Sequence, residues 1–176
     1  MLTYHSPRQY LSELFSLLFN RIRMGRSDDF EPTGWLRVDR AVDEIKLRLA
    51  SAVMEEQFQA VGLLCREALI SVAQAVYDPD RHRSLDGKIL SATDAKRMLE
   101  AYVAAEVQGQ GNEESRKHFR SALDLALALQ HRRTAGFREA AMCAEAVTGV
   151  IKMVAIVSGK RDPQRGGPNA MPLSHL

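Results

Sequence analysis

The sequence predicts an all-α protein, a helical bundle of about six helices. Apolar residues recur at three- and four-residue steps along most of the chain, the spacing that places them on one face of a helix. Aromatic residues make up only 6% of the chain, whereas alanine and leucine are abundant, and this composition favours helices over sheets. No polar–apolar alternation longer than a few residues indicates a strand.

The first fifty residues predict a pair of helices. The first helix runs from about Pro7 to Met24 and ends at Gly25, a residue that suits a helix C-terminus. A polar loop containing Pro32 follows, and the second helix extends from about Trp35 to Ala50. We expect these two helices to form an N-terminal pair.

The rest of the chain predicts a bundle over 54–159. Asp78-Pro79 ends its first helix, and Gly159 closes its last one. The helices of this part span about 51–77, 91–107, 112–133 and 137–158. We therefore expect residues 1–159 to form a single helical domain, followed by an extended C-terminal tail over 160–176.

The last predicted helix is apolar on nearly all sides. Its polar residues Arg138, Glu145 and Lys152 are spaced by seven and form one narrow stripe. A helix of this kind lies at the centre of a bundle or is shared with a partner. We expect a central position and a homodimer formed through the C-terminal helices, two roles that are compatible.

Composition excludes several classes of function. The chain has 24 basic and 22 acidic residues, a near balance that argues against a dedicated polyphosphate-binding surface. Cys65 and Cys143 lack CxxC spacing and a nearby histidine, so they predict reduced core thiols, no metal site and no cofactor. Because the N-terminus lacks signal-peptide features and charges interrupt the most apolar segment, 140–157, we expect a cytoplasmic protein with no membrane span.

The main cluster of candidate functional residues lies at the end of the fifth predicted helix. His131 is followed there by Arg132 and Arg133, a combination that could move a proton and bind a phosphate. The alternative is a basic helix end that complements the helix dipole. Asp124 lies on the same side as His131, but about 10 Å away along the axis, so the two cannot form a dyad directly.

Three other segments are weaker candidates. Arg66 and Glu67 either include one partly buried charge that pairs across the bundle or form an ordinary structural or surface pair. The Arg81-His82-Arg83 loop either contacts phosphate or is simply solvated. Gly109-Gln110-Gly111 lacks the preceding strand and the Lys-Ser/Thr ending of a phosphate loop, so it predicts a turn between helices.

The last two predicted helices read ALDLALALQHRRTAGFREAAMCAEAVTGVIKMVAIVSGKRDP. This segment resembles the bacterial HEPN superfamily of small helical domains, especially members near the abortive-infection C-terminal domain. The third predicted helix, AVGLLCREALISVAQAVY, is similar to the early family helix that bears a charged residue. The resemblance covers about 54–160 and implies a HEPN-like bundle that dimerises.

Active members of that superfamily are metal-independent ribonucleases with an Arg, four to six variable residues and a His. By position His131 matches the motif histidine, but Asp124, Leu125 and Ala126 stand where the Arg belongs. The resemblance therefore implies a catalytically degenerate binding or regulatory module for a partner protein, a nucleotide or RNA, in a bacterial defence or toxin–antitoxin system. A ribonuclease that uses His131 with Arg132 or Arg133 is one alternative, and a structural or assembly protein is another.

Overall fold

The computed structural model describes residue 15 and residues 31–84, 87–130 and 134–162. The chain divides into two compact units, Met1–Pro32 and Thr33–Leu176. In the first unit Phe15 is helical and exposed, and the rest of the first predicted helix lies outside the described residues. All the elements named below belong to the second unit.

Five helices make up the described part of the second unit. They are α1 (Leu36–Ser51), α2 (Glu55–Val76), α3 (Ala95–Glu106), α4 (Glu113–Gln130) and α5 (Phe137–Val157). A 3-10 turn over Gln110–Asn112 joins α3 to α4, as the glycine-rich segment predicts. The residues described here contain no strand, and the all-α class is confirmed.

Two long helices hold the core together. Helix α2 contacts all four other helices, and α5 packs against α1, α2 and α4. The central position expected for the last helix is therefore correct. The inward residues of these two helices are apolar, and burying each large one contributes about 1.5–3 kcal/mol. The most deeply buried are Val61, Cys65, Leu69 and Val72 of α2 and Val147, Val150, Ile151 and Val154 of α5.

The C-terminal end of α4 lies very close to α2. A Cβ atom added to Gly62 would stand 3.4 Å from the backbone oxygen of Gln130. The absence of a side chain at Gly62 thus allows the two helices to approach each other here.

Helices α2 and α5 are also long and apolar enough to cross a membrane, judged by length and composition alone. This is weak evidence, because the core helices of soluble proteins pass the same test. In each helix half of the apolar window is buried inside the protein. The cytoplasmic location stays a prediction.

Candidate ligand-binding groove

The predicted cluster at the end of α4 lies outside the described residues. His131, Arg132 and Arg133 fall between the end of α4 at Gln130 and the next described residue, Thr134. Gln130 itself has a buried side-chain amide with no hydrogen-bond partner in the described part of the chain.

Asp124, a predicted supporting residue, is part of a surface ion pair. Its carboxylate accepts a hydrogen bond from Lys96 Nζ at 2.7 Å, which links α4 to α3. This hydrogen bond raises the pKa of Lys96. Both side chains are about half exposed, so the pair stabilises the fold by at most about 1 kcal/mol.

Arg66 and Glu67 are both exposed on α2. The alternative in which one of them is a partly buried charge is therefore wrong. Both follow the inward-facing Cys65 on the helix, and the next buried position is Ala68. The buried stripe of α2 passes on either side of them, so they face solvent.

A polar groove of about 360 Å³ lies on another part of the unit, where the C-terminal ends of α2, α3 and α5 meet the start of α1. The polar and aromatic residues that line it come from four separate stretches of sequence. They are Trp35, the Arg81-His82 pair, the α3 residues Tyr102 and Glu106, and Lys160.

His82 forms the floor of the groove and is only 2% exposed. Its Nδ1 accepts a hydrogen bond from the Asp78 backbone N–H at 2.9 Å, so Nε2 carries the hydrogen that points to Glu106 Oε1 at 3.1 Å. The imidazole also meets the Tyr102 ring edge-on, with centroids 5.1 Å apart. The expectation of a solvated loop is wrong for His82. Since both ring nitrogens are occupied, this histidine positions its neighbours.

The Glu106 carboxylate joins this floor to the first cation of the groove. Arg81 donates from a terminal guanidinium nitrogen to Glu106 Oε1 at 3.0 Å, while its side chain stays 68% exposed. Burial, with a smaller effect from the charge of Glu106, raises the pKa of Tyr102 to about 12. Because Glu106 holds one guanidinium nitrogen and most of the Arg81 side chain is exposed, Arg81 can contact a ligand in the groove.

Trp35 is held in place by a hydrogen-bond network at the start of α1. The Asp39 carboxylate accepts from the Thr33 N–H at 2.8 Å, from the Thr33 hydroxyl at 2.7 Å and from the Gly34 N–H at 3.1 Å. The Trp35 N–H donates to Thr33 Oγ1 at 3.2 Å. Gly34 has φ 80°, a conformation that glycine adopts without strain.

Lys160 supplies the second cation. It follows the turn that closes α5, where Gly159 has φ 74°. Its Nζ lies 5.8 Å from the centre of the Trp35 ring, within the range of a cation–π contact. The groove therefore combines an aromatic surface with two cations, and one carboxylate partly neutralises them.

A larger cavity, about 650 Å³, lies beside the loop over 83–92 and is lined by Gln74, Tyr77, Lys88 and Met98 among others. Its wall adjoins residues 85 and 86, which the structure does not describe. The groove beside Trp35 is the better candidate, because hydrogen bonds hold the backbone at Trp35 and the Arg81 guanidinium in place.

The fold and the groove define an all-helical protein with a small cationic site. No group of three or more His, Cys, Asp or Glu residues within the described ranges could hold a metal ion. No family model matches the chain, and no curated protein or solved structure is significantly similar to it.

Most of this groove is not evident in the sequence. The sequence marks Trp35 only as a helix start and Lys160 only as the start of a tail. The available signal is the single tryptophan of the chain, which stands between a glycine and a helix.

Proposed function

We propose that this protein is a non-catalytic binding module whose groove beside Trp35 takes a planar anionic ligand, a nucleotide or the base and phosphate of RNA. The observation that carries the proposal is the meeting of one indole with two cations, Arg81 and Lys160, around one cavity. The HEPN-like character, the dimer and a role in bacterial defence or a toxin–antitoxin system belong to the same proposal and come from the resemblance over 54–160.

The chemistry of the groove fits such a ligand. Stacking of a base on an aromatic side chain is worth about 1–3 kcal/mol. A hydrogen bond to a charged group contributes about 1.5–3 kcal/mol. Trp35 could offer the first interaction and Arg81 with Lys160 the second, although Lys160 must move off the indole for a base to stack there.

Two observations favour binding over catalysis. His82, the histidine in the groove, has both ring nitrogens engaged, so neither is free to accept a proton from a substrate. At the positions where the resemblance requires an arginine, Asp124 is paired with Lys96, and Ala126 is buried. Neither residue can provide a guanidinium for a phosphorane.

The single tryptophan makes a direct test simple, since all indole fluorescence reports on Trp35. The protein is titrated with inorganic phosphate, a nucleoside monophosphate and a single-stranded RNA oligonucleotide. We expect quenching by the nucleotide and the RNA, and weaker binding of phosphate alone. Unchanged emission with all three ligands at millimolar concentration would contradict the proposal.

Two variants with matched controls sharpen the titration. Arg81→Gln and Lys160→Gln should each weaken binding by about 10- to 100-fold, because each removes a charge-assisted hydrogen bond. Arg66→Gln on α2 and Lys117→Gln on α4 make the same chemical changes at exposed positions outside the groove. These controls should bind as the native chain does.

A cleavage assay separates binding from the ribonuclease alternative. RNA is incubated in EDTA with the native chain and with His131→Ala. We expect the same background in both samples. Cleavage that disappears in the variant would replace the proposed module with a metal-independent nuclease.

A further inference from the structure

Helix α5 presents an outward ridge on which four residues are exposed and two, Gly149 and Lys152, are half-buried. The ridge follows every third or fourth residue and consists of Arg138, Met142, Glu145, Gly149, Lys152 and Ile156. Two of its apolar members are unusually exposed, Met142 by 46% and Ile156 by 61%. An amphipathic helix in a monomer normally turns such residues inward.

The charges of the ridge lack partners within the described ranges. Glu145 and Lys152 lie two helical turns apart, about 10 Å, which is too far for them to pair with each other. Neither forms an ion pair with another described side chain. Besides Arg138 near its start, the ridge therefore carries one negative charge, Glu145, and one positive charge, Lys152, that are available to a partner.

Apolar and charged residues of the ridge lie at nearly equal distances on either side of Gly149. Met142 lies seven residues before this glycine and Ile156 seven after it. Glu145 precedes it by four residues, and Lys152 follows it by three. A Cβ atom at Gly149 would meet nothing within 4 Å, so another helix has room to approach.

We infer that a second copy of this chain packs its α5 antiparallel on this ridge, with the two-fold axis beside Gly149. Met142 of each chain then faces Ile156 of the other. Glu145 comes beside Lys152 of the other chain, and this pair forms twice. The arrangement covers the exposed apolar side chains and pairs the two Glu145 carboxylates with the two Lys152 side chains.

The direction of packing follows from helix geometry. Glu145 and Lys152 lie on the same flank of the ridge, while Ala146 and Met153 lie on the opposite flank. An antiparallel two-fold pair brings equal flanks together, so the opposite charges meet. A parallel pair would place the charged flank of each chain against Ala146 and Met153 of the other.

Charge reversal tests the pairing. Light scattering after gel filtration and sedimentation equilibrium should give a dimer for the native chain. Glu145→Lys and Lys152→Glu should each weaken dimerisation by about tenfold or more, because like charges then face each other. The double variant restores opposite charges and should recover most of the affinity.

Glu67→Lys, the same reversal at an exposed site on α2, is the control and should leave the dimer intact. Circular dichroism checks that every variant is folded. A native monomer, or single reversals without effect in folded protein, would overturn the inference.

Cross-linking tests the direction. Met142→Cys and Ile156→Cys are prepared separately, with a tag on one of them, and then mixed under mild oxidation. An antiparallel pair predicts a disulfide between the two variants and none within either alone, since the native thiols are buried. Disulfides within one variant alone would indicate parallel packing and overturn the inference, as would no disulfide in the mixture.

This pairing deepens the dimeric part of the proposed function and is independent of the groove. Glu145→Lys should therefore still show nucleotide quenching of Trp35 fluorescence. Quenching without a native dimer would reject the pairing alone, whereas a dimer without quenching would reject only the ligand.

Discussion

The groove beside Trp35 and the C-terminal end of α4 differ in how their polar groups are held. In the groove, Asp39 accepts three hydrogen bonds and Glu106 accepts two, and these bonds fix the groups that donate them. At the end of α4, Gln130 is pressed against Gly62, and its buried amide has no partner among the described residues. One region is organised for polar contacts, and the other for close backbone packing.

The difference shows how a site can be concealed in a sequence. Basic residues that follow one another, as after Gln130, are visible at once. Residues that converge from positions as distant as 35 and 160 are visible only when the chain is folded. Substitutions in the two regions should differ in their cost, because each region depends on a different kind of interaction.

The largest effect is expected at the floor of the groove. His82→Ala should lower the free energy of unfolding by about 3 kcal/mol, because it opens a cavity and leaves the Asp78 N–H without its acceptor. Urea unfolding followed by circular dichroism measures the loss, and Trp35 emission should shift as the groove loosens.

His82→Asn is the control for this change. Its amide oxygen lies near the former Nδ1 position and can still accept from Asp78, so it should cost clearly less than alanine. Equal losses in the two variants would mean that cavity volume, and not the hydrogen bond, decides stability at this position.

A smaller loss is expected at the end of α4. Gly62→Leu should destabilise the protein by about 2 kcal/mol, because the side chain collides with the backbone of Gln130. Gly62→Ala should be nearly neutral, since its Cβ stands at 3.4 Å and alanine improves helix propensity. If urea unfolding gave Gly62→Leu the same free energy of unfolding as the native chain, α2 and α4 would be able to move apart at little cost.

The free energy of unfolding should depend on pH through Tyr102 in the groove. The pKa of Tyr102, raised to about 12, exceeds the value near 10 of an unfolded tyrosine. The folded state thus holds the proton more tightly, and stability that is present below pH 10 declines as pH rises from 10 to 12. The decline should be on the order of 2 kcal/mol.

Tyr102→Phe removes the titrating group and should flatten this part of the stability curve relative to the native chain. Urea midpoints at pH 9 and pH 11 provide the comparison. An equally steep decline in both proteins would assign the effect to other groups, such as the lysines.

The smallest effect is expected at Asp124. Asp124→Asn removes the surface pair with Lys96 and should cost less than about 1 kcal/mol, a loss that high salt reduces. Urea unfolding at low and high salt measures it. A loss of ligand binding in this variant, without a loss of stability, would give Asp124 the functional role that the structure does not suggest.

The helices were predictable from sequence because their signals are local. Apolar spacing and breakers such as Gly159 placed α5 within a residue of its observed ends. The groove was not predictable for a physical reason. No residue near Arg81 in the sequence indicates that Glu106 pairs with it in the fold. The two arginines that flank His82 are typical of a solvated loop, although the imidazole ring is buried.

The position of Lys160 just beyond α5 has a consequence for valency. In a pair joined about Gly149, each groove would lie eleven residues past the axis, in opposite directions. At the rise of an α-helix the two grooves would stand roughly 30 Å apart. A polymeric ligand long enough to reach both would bind the second groove at a high effective concentration. Such a dimer would therefore bind a nucleic-acid strand more tightly than a single nucleotide, although neither groove makes an additional contact.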